Sequence, residues 1–119
     1  MARVAALIPD LLFGSKVKGL LEQAGHEVDL VASGLQAWDD VSGVDVLVVD
    51  LAGPDVDAVA LLETLAAGGD IEGVRTLATY SHVDAETRRR AIDAGFDLVV
   101  PRSRMMREGA DLLGRLAGA

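Results

Sequence analysis

A chain of 119 residues, half of them hydrophobic, has apolar content for one core and no room for a second, so residues 1–119 are expected to form a single domain. Eleven basic against nineteen acidic residues give a net charge of −8, which repels phosphate backbones and predicts no nucleic-acid partner. The absence of cysteine excludes disulfides and thiolate chemistry, Asp10, Asp45 and Asp50 keep every apolar run too short for a bilayer, and Pro9-Asp10 cuts the run a leader would need; a cytoplasmic protein without a membrane partner is expected.

Val4 to Ile8 is a short continuous apolar run, the pattern of a strand buried on both faces. After Pro9-Asp10, the residues Phe13, Val17, Leu20, Leu21 and Ala24 recur at steps of three and four, which predicts a helix that Gly25 ends. His26 to Val31 reads as a second strand, and Ser33 to Val41 as a short helix with Ser33 at its N-cap and Trp38 in the core. Val44 to Leu51 is the clearest strand, β-branched at its centre and carrying Asp50 at its carboxyl end. Pro54-Asp55 opens a helix through Ala67, and Val74 to Thr79 gives a fourth strand. Asp84 caps a helix to Ala94, Leu98 to Val100 is a fifth strand, and Met105 to Leu116 a last helix.

Five strands alternating with five helices through short connections predict an α/β fold, a doubly wound parallel sheet with right-handed crossovers. The commonest order for five strands is 2-1-3-4-5. That order reverses between the first and third strands, so ligand chemistry is expected beyond their carboxyl ends, at Pro9-Asp10 and Asp50-Leu51-Ala52. An Asp there suits a carboxylate nucleophile for phosphoryl transfer, a Mg²⁺ ligand, or a plain loop carboxylate.

The segment Asp50-Leu51-Ala52-Gly53-Pro54-Asp55-Val56-Asp57 resembles the receiver domains of two-component response regulators, in which the phospho-accepting Asp is followed by Pro four residues later and by Asp-Gly from the seventh; Ala58 replaces the Gly. Leu20 to Val28 and Arg90 to Asp97 are similar to the stretches that enter receiver strands 2 and 5, so the likeness spans the chain. It implies the flavodoxin-like receiver fold, Asp50 as the phospho-acceptor candidate, and Thr79 and Arg102 as switch candidates in place of the family's Thr/Ser and Lys; strict counting from Gly95 puts Tyr80 in place of Thr79. Ile8 and Pro9 fall where receivers carry the acidic pair that holds Mg²⁺, which leaves Asp10 and Asp50 as metal candidates, and Val99 stands at the aromatic switch position. A guanidinium is larger and less point-like than an ammonium, so Arg102 is not a neutral replacement.

These departures predict a degenerate pseudo-receiver, a stand-alone signalling protein and not an enzyme, which acts through protein-protein contacts without Mg²⁺-dependent phosphorylation and without a cofactor. A working phospho-acceptor, with Mg²⁺, and a small-molecule-binding flavodoxin-like domain are the alternatives. Arg88, Arg89, Arg90, Arg102, Arg104 and Arg107, six of the eleven basic residues, lie within twenty positions and are the partner-binding candidates, for a protein partner in a signalling pathway or a second copy. A solvated helix face with Glu86 and Asp93 as counterions explains the same run, although Arg102 to Arg107 are expected on a loop, where binding residues concentrate. A corrinoid site is excluded because Leu12 stands where its histidine would, His82 alone makes no metal site, and neither a dinucleotide fingerprint nor a Walker motif is present. No serine sits in a strained strand-to-helix turn, so a catalytic triad is not expected.

Overall fold

All strand pairs are parallel: β1 (Arg3–Leu7), β2 (Glu27–Val31), β3 (Val46–Asp50), β4 (Arg75–Tyr80) and β5 (Leu98–Pro101) form one sheet in the order β2-β1-β3-β4-β5. The computed structural model describes residues 2–31, 43–51, 60, 63–64, 67, 73–81 and 85–118. The continuous helices among these residues are α1 (Leu11–Gln23), α2 (Ala85–Ala94) and α3 (Arg102–Ala117); residues 60, 63, 64 and 67 are helical too, as the sequence predicts for that stretch. The Ser33 helix, Trp38, Ala52 to Ala58 with Pro54 and Asp57, His82 and the Asp84 cap lie outside the described residues.

The alternation of a strand assigns each side chain to one of two layers. Val4, Ala6, Ile8, Val46, Val48, Leu77 and Val100 face α1 and α3, where they meet Val17, Leu21, Met105 and Leu113. Ala5, Leu7, Leu47, Val49 and Ala78 face the other way, with Ala91 of α2 and with Phe96. The central strand β3 is buried along its whole length, as its unbroken apolar run predicts. Among the described residues no helix is long and apolar enough to cross a membrane.

Asp10 is the N-cap of α1: its Oδ1 accepts from the Leu12 and Phe13 backbone N–H groups at 3.1 and 3.2 Å. Gly25 and Gly95, at φ 98° and 104°, take the left-handed turns that follow α1 and α2. The last helix departs from expectation. It starts at Arg102, three residues before Met105, because Pro101, in extended conformation (φ −67°, ψ 153°), ends β5 and serves directly as the N-cap. Arg102 to Arg107 therefore occupy the first turns of α3 and not a loop.

Gly19 and Gly114 lie inside α1 and α3, and a Cβ on either would meet nothing within 4 Å. Gly19→Ala and Gly114→Ala are each expected to stabilise the protein by about 0.5–1 kcal/mol, because alanine lowers the backbone entropy of the unfolded chain. Urea unfolding measures it.

Candidate functional site

The register that pairs Asp50 with Thr79 sets the geometry of the site. Paired residues of neighbouring strands project to the same face, so the two side chains meet at the carboxyl end of the sheet, on the side of α1 and α3. Thr79 Oγ1 donates to Asp50 Oδ1 at 2.8 Å. The Leu51 backbone N–H donates to the Thr79 carbonyl at 2.8 Å, which ties the exit of β3 to β4. Both side chains are buried, Asp50 to 1% exposure and Thr79 to 0%. Tyr80, one step on, projects to the opposite face; Thr79, not Tyr80, is the residue that meets Asp50.

Across from Thr79 stands Arg102, the first residue of α3, brought over Asp50 because the helix begins directly where β5 ends. Its Nε donates to Asp50 Oδ1 at 3.1 Å and its Nη2 to Asp50 Oδ2, a two-pronged ion pair. The third arm, Nη1, reaches Asp10 Oδ2 at 3.3 Å. The guanidinium carbon lies 4.3 Å from the centre of the Phe13 ring, a cation–π contact. One guanidinium thus bridges both carboxylates expected at the crevice. Phe13 belongs to the site as well, a role that its helical periodicity, which marks it as core, does not announce.

The ion pair to Asp50 comes first among the causes that raise the Arg102 pKa above its ordinary value, so the guanidinium stays charged wherever the protein folds. Asp10 is shifted the other way. The hydrogen bond from the Phe13 backbone N–H is the largest cause and the bond to Arg102 adds to it, against partial desolvation. A carboxyl whose folded pKa is depressed contributes stability that is complete above its unfolded value, about 3.9, and is lost as the pH falls through the lower folded value. Asp10→Asn is therefore expected to flatten the acid limb of the stability curve below about pH 4. Thermal melts of the two proteins across that range test this.

Mg²⁺ takes near-octahedral oxygen ligation at short, rigid distances, and the two carboxylates at the crevice are already engaged by other groups. Asp50 Oδ1 already accepts from Thr79 and Arg102, Asp50 Oδ2 accepts from Arg102, and Asp10 divides its oxygens between its own helix and Arg102. The two positions before Asp10 are Ile8, buried in the core layer beneath α1, and Pro9, neither of which supplies a ligating side chain. No group of three or more metal-ligating side chains occurs among the described residues.

The remaining arginines divide. Arg89 pairs with Glu86 at 2.7 Å, and Arg104 with Glu108 at 3.2 Å, while Arg107 stands 3.9 Å from that same Glu108. Arg88 and Arg90 are exposed on α2 and make no ion pair among the described residues. Arg102 alone of the six turns inward. At the opposite, amino end of the sheet, Asp45 accepts from the Arg3 backbone N–H at 2.9 Å and Asp97 from that of Thr76 at 2.8 Å. These two acids tie strand starts together and are remote from the crevice.

The sequence matches no protein-family model and no curated protein. The fold, in contrast, has many solved counterparts. A putative response regulator from Chloroflexus aurantiacus superposes with a TM-score of 0.89 at 18% identity, covering 99% of this chain and 98% of its own. The receiver domain of the Francisella response regulator 1452 gives 0.85 at 18% identity over 99% and 98%, and the chemotaxis response regulator CheY4 of Vibrio cholerae 0.83 at 19% over 98% of each chain. The chain has the flavodoxin-like receiver fold.

Proposed function

We propose that this chain, whose fold is that of response regulator receiver domains, is a cytoplasmic signalling module that works by protein contact, with Asp50 withheld from phosphoryl chemistry. One observation carries the reading: the Arg102 fork engages both oxygens of Asp50 and bridges on to Asp10. A carboxylate attacks a phosphoryl donor through a free oxygen lone pair, with a cation to screen the approaching charge. Here the charge is already neutralised by a side chain that is anchored on Phe13 and cannot diffuse away. The resemblance assigns to Thr79 a movement toward Asp50 on phosphorylation; its hydroxyl is already bonded there, which supports a fixed state in place of a switch.

Arg88 and Ile92, one turn apart on α2 and with Ile92 at 45% exposure, form the face we assign to a protein partner or a second copy, and Arg90 lies on the other flank of the helix. A working phospho-acceptor draws on the placement of Asp50 and Thr79 but requires Arg102 to leave both carboxylates first. Thermal melts with and without millimolar Mg²⁺ test the reading, since a ligand that binds only the folded state raises its stability. The melting temperature is expected not to move beyond the general effect of salt. A Mg²⁺-dependent rise that Asp50→Asn abolishes would overturn the proposal.

A further inference from the structure

We infer that Arg102 is a built-in substitute for a divalent cation, and that Asp10 and Asp50 form a latent cation site which its guanidinium keeps closed. The inference deepens the reading of Asp50 as withheld from phosphoryl chemistry and rests on it: it names the group that withholds Asp50 and the change that releases it.

Two carboxylates converge at the crevice, Asp10 ahead of α1 and Asp50 at the end of β3, and Arg102 is the one cation that pairs with either among the described residues. Its arms divide between them, Nη1 to Asp10 Oδ2 at 3.3 Å, Nη2 to Asp50 Oδ2 and Nε to Asp50 Oδ1 at 3.1 Å. A single positive charge thus stands between two negative ones. With the guanidinium gone, the two negative charges equal what a divalent ion neutralises.

Each acid is also held by a group other than Arg102. Asp10 Oδ1 accepts from the Leu12 and Phe13 backbone N–H groups, and Asp50 Oδ1 accepts from Thr79. Both carboxylates therefore keep their orientation when Arg102 is removed, and each frees an Oδ2 that already faces the same cation. One or two carboxylates with several retained waters suffice for Mg²⁺. Water reaches the place, because the Asp10 and Arg102 side chains are 47% and 30% exposed and border a hollow of about 280 Å³. Lys16 borders the same hollow but pairs with neither acid.

In the native protein the guanidinium excludes an ion in two ways. It occupies both Oδ2 atoms, and its charge repels a second cation at the same spot. Being part of the chain and seated on Phe13, it is held there without the loss of translational freedom that a free ion meets on binding.

Mn²⁺ and Mg²⁺ are the probes, used on the full chain at neutral pH. Mn²⁺ binding is read as paramagnetic broadening of amide resonances in the native protein, in Arg102→Ala, and in Arg102→Ala combined with Asp50→Asn. Arg102→Met, which keeps the bulk of the side-chain stem, is carried alongside, and the same spectra report whether each variant is folded. Arg102→Ala is expected to bind Mn²⁺ saturably and at least about tenfold more tightly than the native protein, with Leu12, Phe13 and Thr79 broadened first. Asp50→Asn in the same chain is expected to abolish this binding. Mg²⁺ is expected to displace Mn²⁺ and to raise the melting temperature of Arg102→Ala. No saturable binding by the folded variants, binding that survives Asp50→Asn, or broadening confined to another acidic stretch would overturn the inference. The two readings fail separately: a native protein that binds the ion through Asp50 contradicts both, whereas native and variant proteins that both ignore it contradict only the latent site.

Discussion

Arg102→Ala is expected to destabilise the protein by about 3 kcal/mol, the largest effect of any substitution in the crevice. Asp50 is buried to 1% and has its oxygens engaged by Arg102 and Thr79; without the guanidinium, one hydroxyl among the described side chains is left to satisfy a charge inside the sheet. Removing one partner of a buried pair costs roughly 3–5 kcal/mol, and the lower end applies because the Arg102 side chain retains 30% exposure, through which water enters to replace part of it. Arg102→Lys should fall between. An ammonium keeps the charge but loses the planar fork and the guanidinium's contact with the Phe13 ring. Urea unfolding at neutral pH gives the values, and a loss below about 1 kcal/mol for Arg102→Ala would place the pair among ordinary surface contacts.

The pair is expected to be asymmetric and, removed as a whole, dispensable for stability. Asp50→Asn should cost much less than Arg102→Ala, because Arg102 then keeps Asp10 and an outlet to solvent, whereas the buried acid has none. The double substitution Asp50→Asn with Arg102→Met should recover most of the loss seen with Arg102→Ala and lie within about 1 kcal/mol of the native protein, since a buried ion pair repays little more than its own desolvation. The shortfall from additivity in this cycle measures the coupling between the two residues. Additive losses would mean that Arg102 stabilises through packing on Phe13 and α1 rather than through Asp50.

Such a pair is visible in the sequence as two positions but not as a contact. The β-α alternation, the burial of β3 and the reversal of strand order follow from apolar runs and their punctuation, which are local signals, and they locate Asp50 at the crevice. Arg102 is separated from Asp50 by 52 residues, and spacing and charge do not set it apart from the five other arginines of its run; only the receiver resemblance, which puts it in place of the family's Lys, singles it out. Its direction depends on where α3 begins. Periodicity places that start at the first apolar residue, Met105, while the Pro101 backbone places it at Arg102 and so aims the first side chain over the sheet. Thr79 and Tyr80 illustrate a related gap: neighbours in a strand face opposite layers, and only the β3–β4 register decides which of them shares a side with Asp50. Phe13 reads as core by spacing and is core, yet its ring also supports the guanidinium. Leu11 and Leu12 are two more hydrophobic residues in the composition; their exposure follows from the capped first turn of α1, which a residue count does not reveal.

The central claim is that Arg102 keeps Asp50 from accepting a phosphoryl group. Intact mass after incubation with a small phosphodonor tests it most directly, with and without Mg²⁺, on the native protein and on Asp50→Asn. The native protein is expected to keep its mass in all conditions that modify an active receiver run in parallel. A Mg²⁺-dependent, hydroxylamine-sensitive gain of one phosphoryl group on the native chain, absent from Asp50→Asn, would contradict the claim and make Arg102 a movable part of a working switch.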